Sequence, residues 1–167
     1  MKRRLLTYFV FLISLNFMKA QEAKNFDFII MVDDEIWTTP TTPKISVKDS
    51  QGNIINTFYT DYHAGNLSIK ESDYQSLLSD NVNSIDMSLK YSKVCDDETY
   101  YYDYEIDFKQ GWLKNYFFVL KIYNTERKKY RKIYEPLEGK KYTFEYDSSN
   151  GQMLRVTKKK RKKECCD

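Results

Sequence analysis

Cys95, Cys165 and Cys166 are the three cysteines of this 167-residue chain, and their spacing admits one long covalent tie. A bridge from Cys95 to Cys165 or Cys166 would close a loop of about 70 residues and stabilise the fold by a few kcal/mol in the chain-entropy model. A bridge between the adjacent Cys165 and Cys166 would be strained. Three thiols cannot all pair within one chain, so one is left for a partner, a dimer or nothing. A metal site needs more ligands than these, because His63 is the only histidine and is far away in sequence.

His63 next to Asp61 has the residue types of a general base with an orienting carboxylate. No G-x-S-x-G elbow accompanies it, nor any nucleophile in a recognisable setting, so His63 reads as a loop residue rather than a catalyst. Acidic residues gather at 33–35, at 96–98, and at Asp103, Glu105 and Asp107. None sits in a D-x-[DN]-x-[DN]-G calcium loop. Solvated loops and cross-strand ion pairs are the expected roles. No cofactor is implied and no catalytic residue is assigned.

Two further groups suit recognition. Lys158, Lys159, Lys160, Arg161, Lys162 and Lys163 form an unbroken basic run near the C-terminus. In an exported chain its targets are anionic lipids, lipopolysaccharide, acidic polymers or the protein's own acidic half rather than nucleic acid, and a plain solubilising tail is the equal alternative. Trp37, Tyr101 and Trp112 are candidates for an aromatic patch facing a sugar or a protein, although such residues more often belong to cores and sheet surfaces.

The elements that must position these residues begin after residue 20. Lys2, Arg3 and Arg4 lead an apolar run over residues 5–15, and Ala20 precedes Gln21. This is the layout of a cleaved secretory signal peptide over residues 1–20. The run is short of the roughly 20 apolar residues that span a bilayer, and no later run reaches that length. An Ala-Gln junction after a short Lys/Arg-led run resembles the exported proteins of Bacteroidota-type bacteria. The resemblance covers the first 22 residues and implies an address, periplasmic or secreted, rather than an activity. No cysteine follows the run, so no lipoprotein anchor is expected.

Charge is unevenly spread over the rest. Residues 21–107 carry 6 Lys/Arg and 17 Asp/Glu, whereas residues 108–163 carry 17 and 5. Pairing between strands of the two halves is the expected resolution. Tyr (15) and Phe (10) are abundant while Gly (5) and Pro (3) are scarce, which favours pleated, half-buried strands.

Alternation with period two dominates. It marks strands at 26–32, 85–91, 100–108, 115–124, 141–147 and 153–157. Residues 44–49 and 54–60 flank a Gly-containing hairpin loop. The 127–134 segment reads as a basic strand or loop. Asn150-Gly151 carries a type I′ turn signal. Residues 71–79 are the one helix candidate, with Ser72 as its cap. The pattern predicts an all-β domain over 21–157, an antiparallel β-sandwich of about seven to nine strands with an immunoglobulin-like or transthyretin-like Greek key. A small up-and-down β-barrel is the alternative. Residues 158–167 form a separate basic, Cys-containing tail.

These readings favour an exported, non-enzymatic binding module whose partner is a protein or an envelope surface component. A ligand-carrying or hydrolytic β-domain and a structural envelope component are the alternatives.

Overall fold

The computed structural model describes residues 22–95 and 97–154. The proposed signal peptide, Asp96 and the basic tail with Cys165 and Cys166 lie outside the described residues. In chain order the strands are β1 (Ala23–Val32), β2 (Glu35–Ile36), β3 (Lys44–Lys48), β4 (Ile54–Tyr59), β5 (Asp61–His63), β6 (Gly65–Lys70), β7 (Ser84–Cys95), β8 (Glu98–Phe108), β9 (Phe118–Asn124), β10 (Tyr142–Ser148) and β11 (Gly151–Met153). Helix α1 (Glu71–Leu77) follows β6, a 3-10 turn (Gln110–Lys114) follows β8, and the single-turn helix α2 (Lys128–Arg131) follows β9.

The strands form two sheets. The larger runs β11-β10-β9-β1-β6-β5, with β2 pairing on β1; the smaller runs β4-β3-β7-β8. The expected two-sheet β architecture is present, but not as a purely antiparallel sandwich. β1 and β9 pair in parallel, Phe28 opposite Phe118 and Val32 opposite Ile122. Parallel neighbours need a long crossover, and the chain between β1 and β9 supplies it by building the whole second sheet. The sheets do not close on each other, so the barrel alternative is excluded.

Burial follows the alternation seen in the sequence. Phe28, Ile30 and Val32 of β1 point into the core, as do Ile85, Met87 and Leu89 of β7 and Tyr104, Ile106 and Phe108 of β8. β9 lies between β1 and β10; Phe118, Leu120 and Ile122 face the core, and on its other face Tyr123 is covered by Tyr130. The lower end of the core is an aromatic stack. Trp112 lies 4.3 Å from Phe118 and 5.3 Å from Phe108 between ring centroids, with Tyr146 at 5.2 Å.

Several local expectations change. Lys70, not Ser72, holds the position before α1, and no side chain caps the helix. The short helix is held by tertiary packing instead, with Leu77 buried and Tyr74 against Phe26 at 5.6 Å. The basic 127–134 segment is neither strand nor open loop. It contains α2, and Tyr130 is buried against Tyr123. In the last hairpin Ser148 pairs with Gly151, so Ser149 and Asn150 make the turn rather than Asn150 and Gly151.

Candidate functional site: a tyrosine-walled cleft beneath a strand arm

The β7–β8 hairpin is the longest pairing in the molecule, extending from Ile85↔Phe108 to Cys95↔Glu98. β3 supports β7 only as far as Ser88. Beyond that point the hairpin extends past β3 as a two-stranded arm. Its inner face carries Leu89, Tyr91, Tyr102 and Tyr104, because side chains on a strand alternate between faces. Beneath the arm lies a cleft of about 700 Å³. Tyr100, Tyr102 and Tyr104 wall one side; Asn124, Arg127 and Tyr142 wall the other.

The arm is seated by aromatic packing. Tyr91 meets Trp37 edge-on at 5.0 Å, Tyr102 and Tyr104 lie parallel at 6.2 Å, and Tyr104 meets Tyr142 edge-on at 4.9 Å. Edge-on and offset rings of this kind add roughly 0.5–1.5 kcal/mol each beyond burial. The Tyr104 hydroxyl is buried and has no hydrogen-bond partner among the described residues. Desolvation raises its pKa far above the ordinary phenol value, so it stays neutral.

One residue joins the two sheets at the cleft floor. The Tyr142 hydroxyl accepts the Glu105 N–H at 2.6 Å and donates to the Glu105 carbonyl at 2.8 Å. Both backbone groups of Glu105 therefore point away from β7. In an antiparallel ladder this orientation repeats every second residue. Thr99, Tyr101 and Asp103 thus direct their N–H and C=O groups to the same free edge, and β8 pairs with no described strand on that side.

The charged rim is built by the turn between β1 and β2. Asp33 and Asp34 both have positive φ, 54° and 69°. Such values suit a two-residue type I′ hairpin and are tolerated by Asp better than by most residues. Asp33 accepts the Asn124 N–H and an Arg127 guanidinium hydrogen, each at 2.8 Å. Asp34 accepts from Lys129 Nζ at 2.6 Å and from the Tyr130 hydroxyl at 2.9 Å. The Lys129 hydrogen bond is the main reason that the Asp34 carboxyl titrates below its ordinary value. Across the cleft Lys140 pairs with Glu105, and Lys141 with Glu126 at 2.8 Å. Asp33–Arg127, Asp34–Lys129 and Glu105–Lys140 each join the acidic first half to the basic second half, as the charge distribution led one to expect.

The residues singled out in the sequence divide sharply. Tyr101 is 81% exposed, on the outer face of the arm. Trp37 and Trp112, expected as surface-binding candidates, are instead core residues at 5% and 6% exposure. Trp37 wedges beneath the arm, and Trp112 is locked in the lower stack by the 3-10 turn. Cys95 is half-buried at the arm tip and has no disulfide to a described residue. His63 is exposed on β5 and does not line the cleft. Among the described residues no three His, Cys, Asp or Glu side chains converge as a metal site, and no helix is long and apolar enough to cross a membrane.

Sequence reasoning missed Asn124, Arg127 and Tyr142 as cleft residues. Tyr142 had a usable signal in its place on an alternating strand, but nothing in the sequence identifies its partner 37 residues away. No protein-family model, curated protein or solved structure matches this chain.

Proposed function

We propose that this chain is an exported, non-enzymatic binding module that receives an extended polypeptide segment along the free edge of β8, over the tyrosine-walled cleft. The observation that carries this reading is the row of outward backbone groups at Thr99, Tyr101 and Asp103, which pair with no described strand, beside that cleft. A strand that adds to such an edge gains main-chain hydrogen bonds, and its alternate side chains enter the adjoining pocket. Tyrosines suit this task because they offer large contact area at low conformational cost. The export signal read at residues 1–20 puts the activity in the periplasm or outside the cell.

The test is selection of random extended decapeptides on the mature chain, followed by Tyr101→Pro. Proline removes one outward N–H and none of the ladder bonds to β7, and edge positions of this kind accept it. Peptides should be captured by the wild-type chain and lost, by about tenfold or more in affinity, from the proline variant. Equal capture by both would refute edge recognition.

A small-ligand carrier is the second reading, favoured by the buried, unpartnered Tyr104 hydroxyl in the cleft wall. Tyr104→Phe should then weaken small-ligand binding while leaving peptide capture intact.

A further inference from the structure

We propose that the outer face of the smaller sheet carries a second binding site, a groove that holds an acidic saccharide of the uronate class. This site does not use the free edge of β8, so it is independent of the peptide reading.

Three observations carry it. The first is the row of side chains that the strand registers assemble. Lys44 of β3 lies opposite Tyr59 of β4 and opposite Ser88 of β7. Directly opposed residues of antiparallel strands share a face. Their neighbours Phe58, Ile45, Met87 and Leu89 are buried in the core, so Tyr59, Lys44 and Ser88 point outward. Lys90 and Asp103 oppose each other in the next outward row of β7 and β8. The row from Tyr59 to Ser88 crosses two strand spacings, about 10 Å, and Lys90 lies about 7 Å farther along β7.

The second is a concavity at this place. β3 begins at Lys44, so β7 is flanked beyond Ser88 by the preceding loop rather than by a strand. Thr42 of that loop, with Lys44, Tyr59, Ser88, Lys90 and Asp103, lines a groove of about 530 Å³. The loop wall is fixed. Thr41 exchanges two backbone hydrogen bonds with Tyr62, at 2.8 and 3.0 Å, and the Pro43 carbonyl accepts the Thr60 N–H at 2.9 Å. The groove is therefore formed before any ligand arrives.

The third is charge. Among the described residues neither Lys44 nor Lys90 enters an ion pair. The lysines that border them are neutralised, Lys48 by Asp86 and Lys140 by Glu105. Lys44 and Lys90 are diagonal neighbours on one face, within reach of a single carboxylate between them.

The class of ligand follows from the groups on offer. β3 and β7 are paired with each other beneath the groove, so an extended peptide finds no open ladder there and recognition falls to side chains. Tyr59, 63% exposed, presents an apolar ring face. The Thr42 and Ser88 hydroxyls donate and accept, and the Asp103 carboxylate accepts. A uronate sugar matches all of these: its ring lies on Tyr59, its hydroxyls meet Ser88 and Asp103, and its carboxylate accepts from Lys44 and Lys90. The Asp103 charge at the far end disfavours a densely charged anion such as inorganic phosphate.

The experiment uses the full mature chain with the bases of 158–163 replaced by serine, so that they contribute no attraction of their own. Calorimetric titration with an oligogalacturonate should show binding that weakens as salt is raised. Affinity should fall about tenfold or more in Tyr59→Ala and in the double variant Lys44→Gln/Lys90→Gln. Denaturation midpoints should not move, because all three side chains are exposed. A neutral maltooligosaccharide and an oligoglutamate should each bind at least about tenfold more weakly than the uronate. No binding, or equal binding by the groove variants, would overturn the site. Equal binding of oligoglutamate would overturn the saccharide assignment, and equal binding of the neutral sugar would overturn the role of the lysines. The two sites separate cleanly: Tyr101→Pro should leave oligogalacturonate binding intact, and Tyr59→Ala should leave peptide capture intact.

Discussion

Tyr142 and Glu105 hold the two sheets together through a single hydroxyl that is donor and acceptor at once, at 2.8 and 2.6 Å. The pair plugs the β8 edge at Glu105, while Thr99, Tyr101 and Asp103 beyond it meet no described strand. The edge is thus closed toward the core and available toward the arm tip. Tyr104 meets Tyr142 edge-on at 4.9 Å beside this contact.

Tyr142→Phe removes both bonds while keeping the ring. It should cost about 1–3 kcal/mol, because two part-buried backbone groups lose their partner. Chemical denaturation measures the loss. Hydrogen exchange should localise it to the Glu105 amide, with the β7–β8 ladder amides unchanged.

The Asp33-Asp34 turn makes a backbone prediction and a side-chain prediction. Asp33→Ala should destabilise by about 2 kcal/mol from lost charged hydrogen bonds, and by about 1 kcal/mol more because alanine tolerates positive φ poorly. Asp33→Asn should recover the backbone part and the bond from the Asn124 N–H but not the Arg127 ion pair. A Tm order of wild type, then Asn, then Ala checks it.

The two tryptophans and Tyr101 should behave oppositely. Trp37→Ala and Trp112→Ala delete core rings and should cost about 3–5 kcal/mol each. Tyr101→Ala lies on the solvent face and should change stability by no more than about 0.5 kcal/mol. Under the proposed function it should nevertheless weaken peptide capture. Denaturation midpoints set beside binding affinities separate the two effects.

Alkaline pH should unfold the protein through its phenols. Burial raises the pKa of Tyr104 and Tyr123 well above the ordinary phenol value. Both are favoured neutral in the fold, so their contribution is fully present below about pH 10 and is lost as pH rises toward the folded-state values. Ultraviolet titration should show the exposed tyrosines ionising first, and a further set ionising only together with the loss of near-ultraviolet circular dichroism. A single titration step for all tyrosines at the ordinary pKa would contradict this burial.

The type and face of most strands were set by local sequence. The alternation at 85–91 and 100–108 became the inner and outer faces of the arm, because a half-buried strand must place apolar side chains at every second position. The uneven charge of the two halves likewise anticipated Asp33–Arg127 and Glu105–Lys140. What the tertiary structure alone decided was which strands became neighbours and which aromatics were covered. Nothing local distinguishes Trp37 and Trp112, which are buried, from Tyr101, which is not; their fates depend on elements that fold over them. The parallel pairing of β1 with β9 depends on a crossover built from the whole second sheet, so no window of sequence contains it. The cleft exists for the same reason. Its walls come from residues 100–104, 124–127 and 139–142, which are distant in sequence, and Tyr142 joins them by gripping the turned-out backbone groups of Glu105.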